Sequence, residues 1–354
     1  MPLQRIAVLG LGKVGTLAAG LLHQGGFDVI GFDSRSPHET LPFAIRTADL
    51  VSDGGVRAAT QGFDAVLSCL PYRINQRIAA AAHARGLHYF DLTEDVPTTE
   101  AIRDLSKTSR GLMAPQCGLA PGFVGIVGAA QVAAFEECRS LRLRVGALPQ
   151  HPTGLMGYAF NWSPEGVVNE YLNDCEVIEG GVRKMVSSME WQETLYVDGV
   201  MLEAFTTSGG LGTICETFHG KVANVDYKTM RYPGHMRLMN FFFHELLMRE
   251  RRELAGEILT NAKPPVNDDI VYVHVSSEGL LDARLQRREF VRAYRPIELA
   301  GGMQTAIAWT TSASVVAIIE LVRNGALPQQ GFLKQEEVPL SKFLATATGR
   351  LFEA

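Results

Sequence analysis

The feature that most constrains the fold lies in the first fifteen residues. Ile6-Ala7-Val8-Leu9 is a short apolar run, Gly10-Leu11-Gly12-Lys13-Val14-Gly15 follows directly, and Thr16-Leu17-Ala18-Ala19-Gly20-Leu21-Leu22 opens a helical pattern. Strand, G-x-G-x-x-G and helix in that order form a dinucleotide fingerprint. The first glycine permits a tight turn, the second lets the backbone approach a pyrophosphate, and the third lets helix pack on strand. The helix start offers free N–H groups and a partial positive charge to phosphates. A second strand, residues 27–32, ends in Asp33. An acid about 20 residues past the glycines accepts bonds from ribose hydroxyls. The alternative is a glycine-rich turn in a ligand-free domain; strand, helix and acid together favour the dinucleotide. Asp33 repels a 2′-phosphate and argues for NAD, whereas Arg35, next to Ser34, offers a phosphate partner and leaves NADP open.

The βα alternation continues. A polar loop (34–40) and a helical stretch (55–61) lead to the buried-type strand Ala65-Val66-Leu67-Ser68-Cys69-Leu70, which runs into Pro71-Tyr72. A helix over 74–84 closes at Gly86, as helices often do. The strand at 87–90 ends in Asp91-Leu92-Thr93-Glu94, and a helix over 98–109 precedes Leu112-Met113-Ala114-Pro115-Gln116-Cys117 and Gly118-Leu119. This predicts an α/β fold, a Rossmann-type doubly wound parallel sheet with helices on both faces. Ligands of such sheets lie off the carboxyl ends of the strands. The expected cofactor contacts are therefore Gly10, Leu11, Gly12, Lys13, Val14, Gly15, Asp33, Ser34, Arg35, Ser68, Cys69, Leu70, Pro71, Asp91, Leu92, Cys117, Gly118 and Leu119.

Past Gly122 the pattern changes. After a small-residue helix (125–135), longer and more polar strands appear at 141–145, 195–197, 270–275 and 289–294, with apolar–polar alternation that suggests a sheet with one wetter face. Residues 241–259 read as one helix with charges on one side. A long apolar helix over 310–324, with Gly325 past its end, is expected to return to the first domain. The expected division is 1–121 plus 305–354 for the dinucleotide domain, and 122–304 for an inserted α+β domain serving substrate binding and dimerisation.

The 354 residues, 46% hydrophobic and 20% charged with net charge −5, describe an ordinary globular chain whose acids and bases are interspersed. Nothing there points to nucleic acid or an anionic membrane as partner. The apolar stretch 315–322 is too short to span a bilayer, and the chain enters its first strand at once, so no signal segment is expected. The five cysteines have neither disulfide-framework nor zinc-ribbon spacing. A cytoplasmic, reduced protein is expected.

The chain resembles the saccharopine dehydrogenase family, most closely its lysine 6-dehydrogenase branch. The matching pieces are Val8-Leu9-Gly10-Leu11-Gly12-Lys13-Val14-Gly15, Phe90-Asp91-Leu92-Thr93-Glu94, Gly118-Leu119-Ala120-Pro121-Gly122, Trp162-Ser163-Pro164-Glu165-Gly166 and Lys228-Thr229-Met230-Arg231-Tyr232-Pro233-Gly234-His235. They keep the family's order over nearly the whole chain, and the last two are the most specific. The resemblance implies a nicotinamide-linked dehydrogenase acting at a carbon–nitrogen bond of an amino acid, with an interrupted Rossmann domain. One departure tilts the substrate. Saccharopine-forming members commonly carry an acid where this chain has Ala120, whereas the lysine-oxidising branch tolerates alanine.

Several residues carry two readings. Arg231 is a clamp for an α-carboxylate, since its fork matches two oxygens, or a surface or interface ion pair. His235 is a second carboxylate ligand, a proton carrier or a structural histidine. Asp91 holds or deprotonates the substrate nitrogen, or else caps a helix or binds a cofactor hydroxyl; Glu94 is a weaker candidate for the same work. Tyr72 presents its hydroxyl to the reacting nitrogen or forms an aromatic wall. Trp162, with Ser163, lies along a lysine side chain through apolar and cation–π contact, or packs in the core. Glu165 and Glu170 read as solvated helix faces rather than amine ligands. Cys69 and Cys117 read as small pocket residues, with no paired base to activate a thiol. Glu216 and His219, with His235 and His244, match no metal-ligand spacing, so no metal is expected. The leading expectation is NAD-dependent oxidation of the L-lysine side-chain amine to the semialdehyde, with release of ammonia. The alternatives are an opine-type reaction that reduces an imine between an amino acid and an oxo acid, and a non-catalytic dinucleotide sensor. The expected partners are a small amino acid and further copies of the chain, as a homodimer or higher homo-oligomer.

Overall fold

The structure, a computed structural model, describes residues 3–35 and 40–353. The predicted polar loop 34–40 therefore lies partly outside the described residues. The chain forms two compact units: Met1–Phe123 with Ala300–Gly302 and Ala308–Ala354, and Val124–Leu299 with Met303–Ile307.

The first unit alternates strand and helix: β1 (Arg5–Leu9), α1 (Lys13–Gln24), β2 (Asp28–Asp33), β3 (Ala44–Thr47), α2 (Asp53–Thr60), β4 (Ala65–Ser68), α3 (Tyr72–Arg85), β5 (His88–Asp91), α4 (Val96–Ser106) and β6 (Leu112–Ala114). Its strands lie in the order β3-β2-β1-β4-β5-β6, all parallel. β1 and β4 are buried on both faces, which is why their sequences are apolar runs without alternation. The order reverses at β1, whose neighbours β2 and β4 diverge. In sheets of this order that reversal marks where ligands bind, off the carboxyl ends of the strands. Leu9, Phe32, Val66, Ile78, Tyr89 and Ile102 belong to the core of this unit. Gly86 ends α3 in the left-handed region, as its place in the sequence predicted.

The second unit starts with α5 (Phe123–Val132), followed by β7 (Glu137–Pro149), α6 (Pro164–Leu172), β8 (Cys175–Glu179), β9 (Val182–Val186), β10 (Glu193–Val197), β11 (Val200–Thr206), α7 (Ile214–Phe218), β12 (Asn224–Arg231) and α8 (His235–Asn240). It continues with α9 (Arg252–Ala262), β13 (Asp269–Leu281), β14 (Arg284–Tyr294) and a two-stranded ribbon, β15 (Ile297–Leu299) with β16 (Gly302–Gln304). The large sheet runs β10-β11-β12-β7-β13-β14, with β8 and β9 attached to β12. Only β7 and β12 pair in parallel; the rest is antiparallel. β9 is exposed along nearly its whole length, and β14 is exposed over much of its first half.

The sequence pattern is overturned at 241–259, where no single helix forms. α8 passes into a π-helical turn (Phe241–Glu245), Leu247 adopts φ 55°, and a 3₁₀ turn (Met248–Glu250) precedes α9. Phe243 is drawn into the second unit's core while Phe241 stays exposed, and the wider π turn re-aims the chain.

The chain then returns to the first unit through α10 (Ala306–Arg323), β17 (Gly331–Phe332) and α11 (Leu340–Leu344); β17 extends the parallel sheet beside β6. α10 is longer than the apolar stretch 315–322 suggested: its 18 residues match a membrane span by length and composition. Most of it is nevertheless buried within the protein, and Gly325 follows it at φ 69°.

Candidate functional site

At the end of β1 the three fingerprint glycines have three different reasons. Gly10 has φ 88°, and a Cβ there would stand 2.9 Å from the Cys69 carbonyl oxygen. A Cβ on Gly15 would fall 1.8 Å from the Gly10 carbonyl oxygen, so nothing larger fits between turn and helix. Gly12 is the opposite case: it is exposed, and a Cβ would meet nothing within 4 Å. That open ground lies at the start of α1, which has no side-chain cap and no acid in its first turn. The helix's first N–H groups are thus left for an external anion, the arrangement a pyrophosphate needs. Lys13 is exposed on the first turn, and Leu11 and Val14 are half-buried.

Asp33, at the end of β2, reaches the same turn. Its Oδ2 accepts the Leu11 N–H at 2.6 Å; Oδ1 accepts the Arg35 N–H at 3.1 Å and the Ser34 hydroxyl at 3.4 Å. Each carboxylate oxygen has two lone pairs, so capacity for a ribose hydroxyl remains. Ser34 and Arg35 are exposed beside it. α10 supplies contacts that no sequence pattern announced: Ser312 donates to the Val14 carbonyl at 2.9 Å and Ser314 to the Gly118 carbonyl at 2.8 Å. The residue set of this turn and helix start fits a dinucleotide.

Deeper in the first unit, Asp91 closes a buried polar knot. Its Oδ1 accepts the Thr93 and Gln116 N–H groups, each at 3.0 Å. Its Oδ2 accepts the Tyr89 hydroxyl at 2.8 Å and the Asn75 amide at 3.3 Å, and Asn75 in turn accepts from Ser68 at 2.7 Å. Asp91 is 0% exposed. Burial raises its carboxyl to about 6, against the opposing pull of the Thr93, Tyr89 and Gln116 donors. Cys69 is pushed up to about 12 by burial and by Asp91, and Cys117 well above its ordinary value for the same reasons. Both are therefore thiols at neutral pH. Leu70, Leu92, Glu94 and Tyr72 are half-buried, Pro71 caps α3 just before Tyr72, and Gly118 and Leu119 are buried where α10 meets their loop.

The second unit builds a different centre around Arg231, the last residue of β12. Its side chain is 2% exposed. Nε donates to the Tyr171 hydroxyl at 2.8 Å, and Nη1 donates to the Thr229 hydroxyl and, at 2.9 Å, to the Met230 carbonyl. The guanidinium lies 4.7 Å from the Tyr158 ring centre and 5.6 Å from that of Tyr171. Burial opposes its charge, while Tyr158, Tyr171 and Glu170 favour it, and the balance leaves its pKa raised. Among the described residues Arg231 forms no ion pair, and Nη2 has no hydrogen-bond partner. The burial of Arg231 corrects the surface half of the ion-pair reading.

His235 is 1% exposed and uses both ring nitrogens: Nδ1 lies 3.0 Å from the Met156 carbonyl and Nε2 3.0 Å from the Tyr171 hydroxyl. Burial, and next the Arg231 charge, lower its pKa to about 3, so the ring is neutral. Glu203, missed in the sequence, holds this turn: its two oxygens accept the Gly234 and Met236 N–H groups at 2.9 and 2.7 Å. Ser163 is the N-cap of α6, accepting from Gly166 at 3.0 Å, and Trp162 packs half-buried against the unit's core. Glu170 corrects the solvated-face reading, since it is only 5% exposed. Tyr171 had no local signal at all; it lies 60 residues from the arginine it holds.

The comparisons with known proteins agree with this architecture. The family described as "Saccharopine dehydrogenase C-terminal domain" matches residues 118–352. Among solved structures, apo saccharopine dehydrogenase (L-Glu forming) from Saccharomyces cerevisiae is similar over 96% of this chain and 97% of its own, at 14% identity and TM-score 0.72. DAP dehydrogenase of C. glutamicum, in complex with DAP, is similar over 100% and 99%, at 12% identity and TM-score 0.53. An engineered D-amino acid dehydrogenase bound to NADP+ is similar over 99% and 98%, at 13% identity and TM-score 0.51. At these identities the likeness is one of fold: a Rossmann-type parallel sheet joined to a mixed-sheet unit. With more than half of its length matched by the family's sequence pattern, the chain belongs to the saccharopine dehydrogenase family.

Proposed function

We propose that the protein is a nicotinamide-dinucleotide-dependent amino acid dehydrogenase. The first unit holds the dinucleotide on the Gly10–Gly15 turn, and the second holds the amino acid's carboxylate on Arg231. The observation that carries the reading is the buried Arg231 guanidinium, with no ion pair and an open Nη2 among the described residues. Glu170 favours the charge without forming an ion pair with it among the described residues, so a carboxylate placed directly at Nη2 is the natural complement. Because Nε and Nη1 are engaged within the protein, the carboxylate is received end-on by Nη2. The two-oxygen fork expected from sequence is not needed.

The leading substrate is L-lysine and the leading coenzyme NAD. Asp33, tied by its two oxygens to the turn, disfavours a 2′-phosphate, while exposed Arg35 keeps NADP as the second option. The coenzyme, when bound, accepts hydride from the carbon bearing the side-chain amine. Lysine's amine has an ordinary pKa of about 10.4, so it must lose a proton before hydride leaves. Tyr72, at the carboxyl end of β4, presents a hydroxyl for that step. Asp91, fully buried with both oxygens occupied, acts by fixing the Thr93 and Gln116 backbone at the strand ends. Water then adds to the substrate imine, ammonia leaves, and the semialdehyde cyclises. The description of the S. cerevisiae structure as saccharopine dehydrogenase favours a second reading, in which an imine between an amino acid and an oxo acid is reduced.

Ammonia separates the two. With lysine and NAD alone, the first reading predicts reduced coenzyme and ammonia, and the second predicts neither. Replacing Arg231 with alanine should raise KM for the amino acid about a hundredfold, the equivalent of about 3 kcal/mol of lost charged hydrogen bonding. An unchanged KM would remove the clamp.

A further inference from the structure

Resting on the carboxylate-clamp reading, we propose that Tyr171 and His235 are positioning residues that lock the Arg231 guanidinium in one orientation through a one-way hydrogen-bond chain. They thereby leave Nη2 as its only open nitrogen. The direction of the chain follows from valence. Arg231 Nε has only a proton to give, so the Tyr171 oxygen accepts it at 2.8 Å. The phenol proton then goes to His235 Nε2, 3.0 Å away. His235 must carry its own proton on Nδ1, where the Met156 carbonyl accepts it at 3.0 Å. The Met156 carbonyl requires a proton on Nδ1, and a neutral ring then offers Nε2 as the acceptor of the phenol proton. The ring is buried beside the arginine charge, which keeps it neutral.

The packing fixes the rest. Tyr158 stacks against the guanidinium, Phe205 stacks parallel to the His235 ring with centres 6.4 Å apart, and Tyr171 is 1% exposed. The guanidinium plane therefore does not turn to follow a ligand. A carboxylate must arrive in that plane at Nη2, which selects amino acids by where their carboxylate falls relative to the reacting nitrogen. Tyr171 and His235 touch no substrate in this account; their effect passes through Arg231.

The test compares Tyr171→Phe with the unmodified protein on two amines, L-lysine and pentane-1,5-diamine, the same chain without the carboxylate. The proposal expects KM for lysine to rise about tenfold, with kcat within about twofold and KM for the diamine unchanged. An unchanged lysine KM, or an equal rise for both amines, overturns it. A second readout needs no turnover. ¹⁵N spectra of the His235 ring in the resting protein should show a neutral Nδ1–H tautomer whose Nε2 resonance loses its hydrogen-bond shift in Tyr171→Phe. A ring protonated on Nε2, or titrating near the ordinary 6.5, overturns the chain whatever the substrate. Failure of the underlying clamp has its own signature: Arg231→Ala would leave lysine KM unchanged while the His235 spectrum stayed as expected. That result overturns the positioning role.

Discussion

Two buried titratable groups, one in each unit, pull stability in opposite directions. The Asp91 carboxyl is raised from 3.8 to about 6. What it contributes is full below 3.8 and is lost as pH rises through 6, about 3 kcal/mol in all. The His235 imidazole is lowered from 6.5 to about 3, so its contribution is full above 6.5 and is lost as pH falls toward 3, about 5 kcal/mol. Between pH 4 and 6 the two slopes nearly cancel. Asp91→Asn removes one of them, and its unfolding free energy should then climb about 1.4 kcal/mol per pH unit more steeply than that of the parent across this window. Urea unfolding at a series of pH values checks this; parallel profiles would show that Asp91 keeps an ordinary pKa. The residue scale is also where the sequence was least readable. Asp91 and Arg231 stood out in it, but Asn75, Tyr158 and Tyr171, which help decide what those two groups can do, come from distant positions with no motif of their own, and Tyr89, two residues from Asp91 on β5, carried no signal beyond strand propensity.

At the scale of elements, the turn between β1 and α1 separates fold from binding. Gly15→Ala puts a methyl 1.8 Å from the Gly10 carbonyl oxygen and should unfold or distort the turn, whereas the Cβ of Gly12→Ala meets only open space. The expected result is a Gly12→Ala protein with parental thermal stability and dinucleotide affinity weakened by an order of magnitude or more, measured by calorimetric titration. Equal affinity would place the pyrophosphate elsewhere. In the second unit, Glu203 holds the start of α8 through the Gly234 and Met236 N–H groups. Glu203→Ala should cost about 1–2 kcal/mol in denaturant unfolding, because the start of α8 loses a charged acceptor for two part-buried N–H groups; a smaller loss would assign the turn's geometry to Gly234 alone. The helices and strands of the first unit were legible because βα alternation, the fingerprint and Gly86 are local signals. The break at 241–250 was not, since the charge pattern runs on through it. The break consists of the π turn over Phe241–Glu245, Leu247 at φ 55° and the 3₁₀ turn that follows.

For the whole molecule, the account divides the labour between the two units, and hydrogen exchange can read that division. Bound dinucleotide should slow exchange in β1, the start of α1 and the end of β2. A bound amino acid should slow it around residues 156–171 and 229–236. Protection of only one set by both ligands would contradict the division. At this scale the sequence was readable where the pattern repeats. The parallel sheet, its strand ends and the late apolar helix followed from period and composition. The strand order of the mixed sheet did not, because β7 pairs with β12 and β13 across long separations that leave no local trace. The central claim is that this chain oxidises an amino acid with a pyridine nucleotide, and the formation of reduced coenzyme measures it most directly. With NAD or NADP and a panel of lysine, ornithine, saccharopine and related diamines, the account predicts reduced coenzyme with at least one amino acid, fastest with lysine and NAD, and one ammonia released per turnover. Tight dinucleotide binding with no reduced coenzyme from any member of the panel would contradict it.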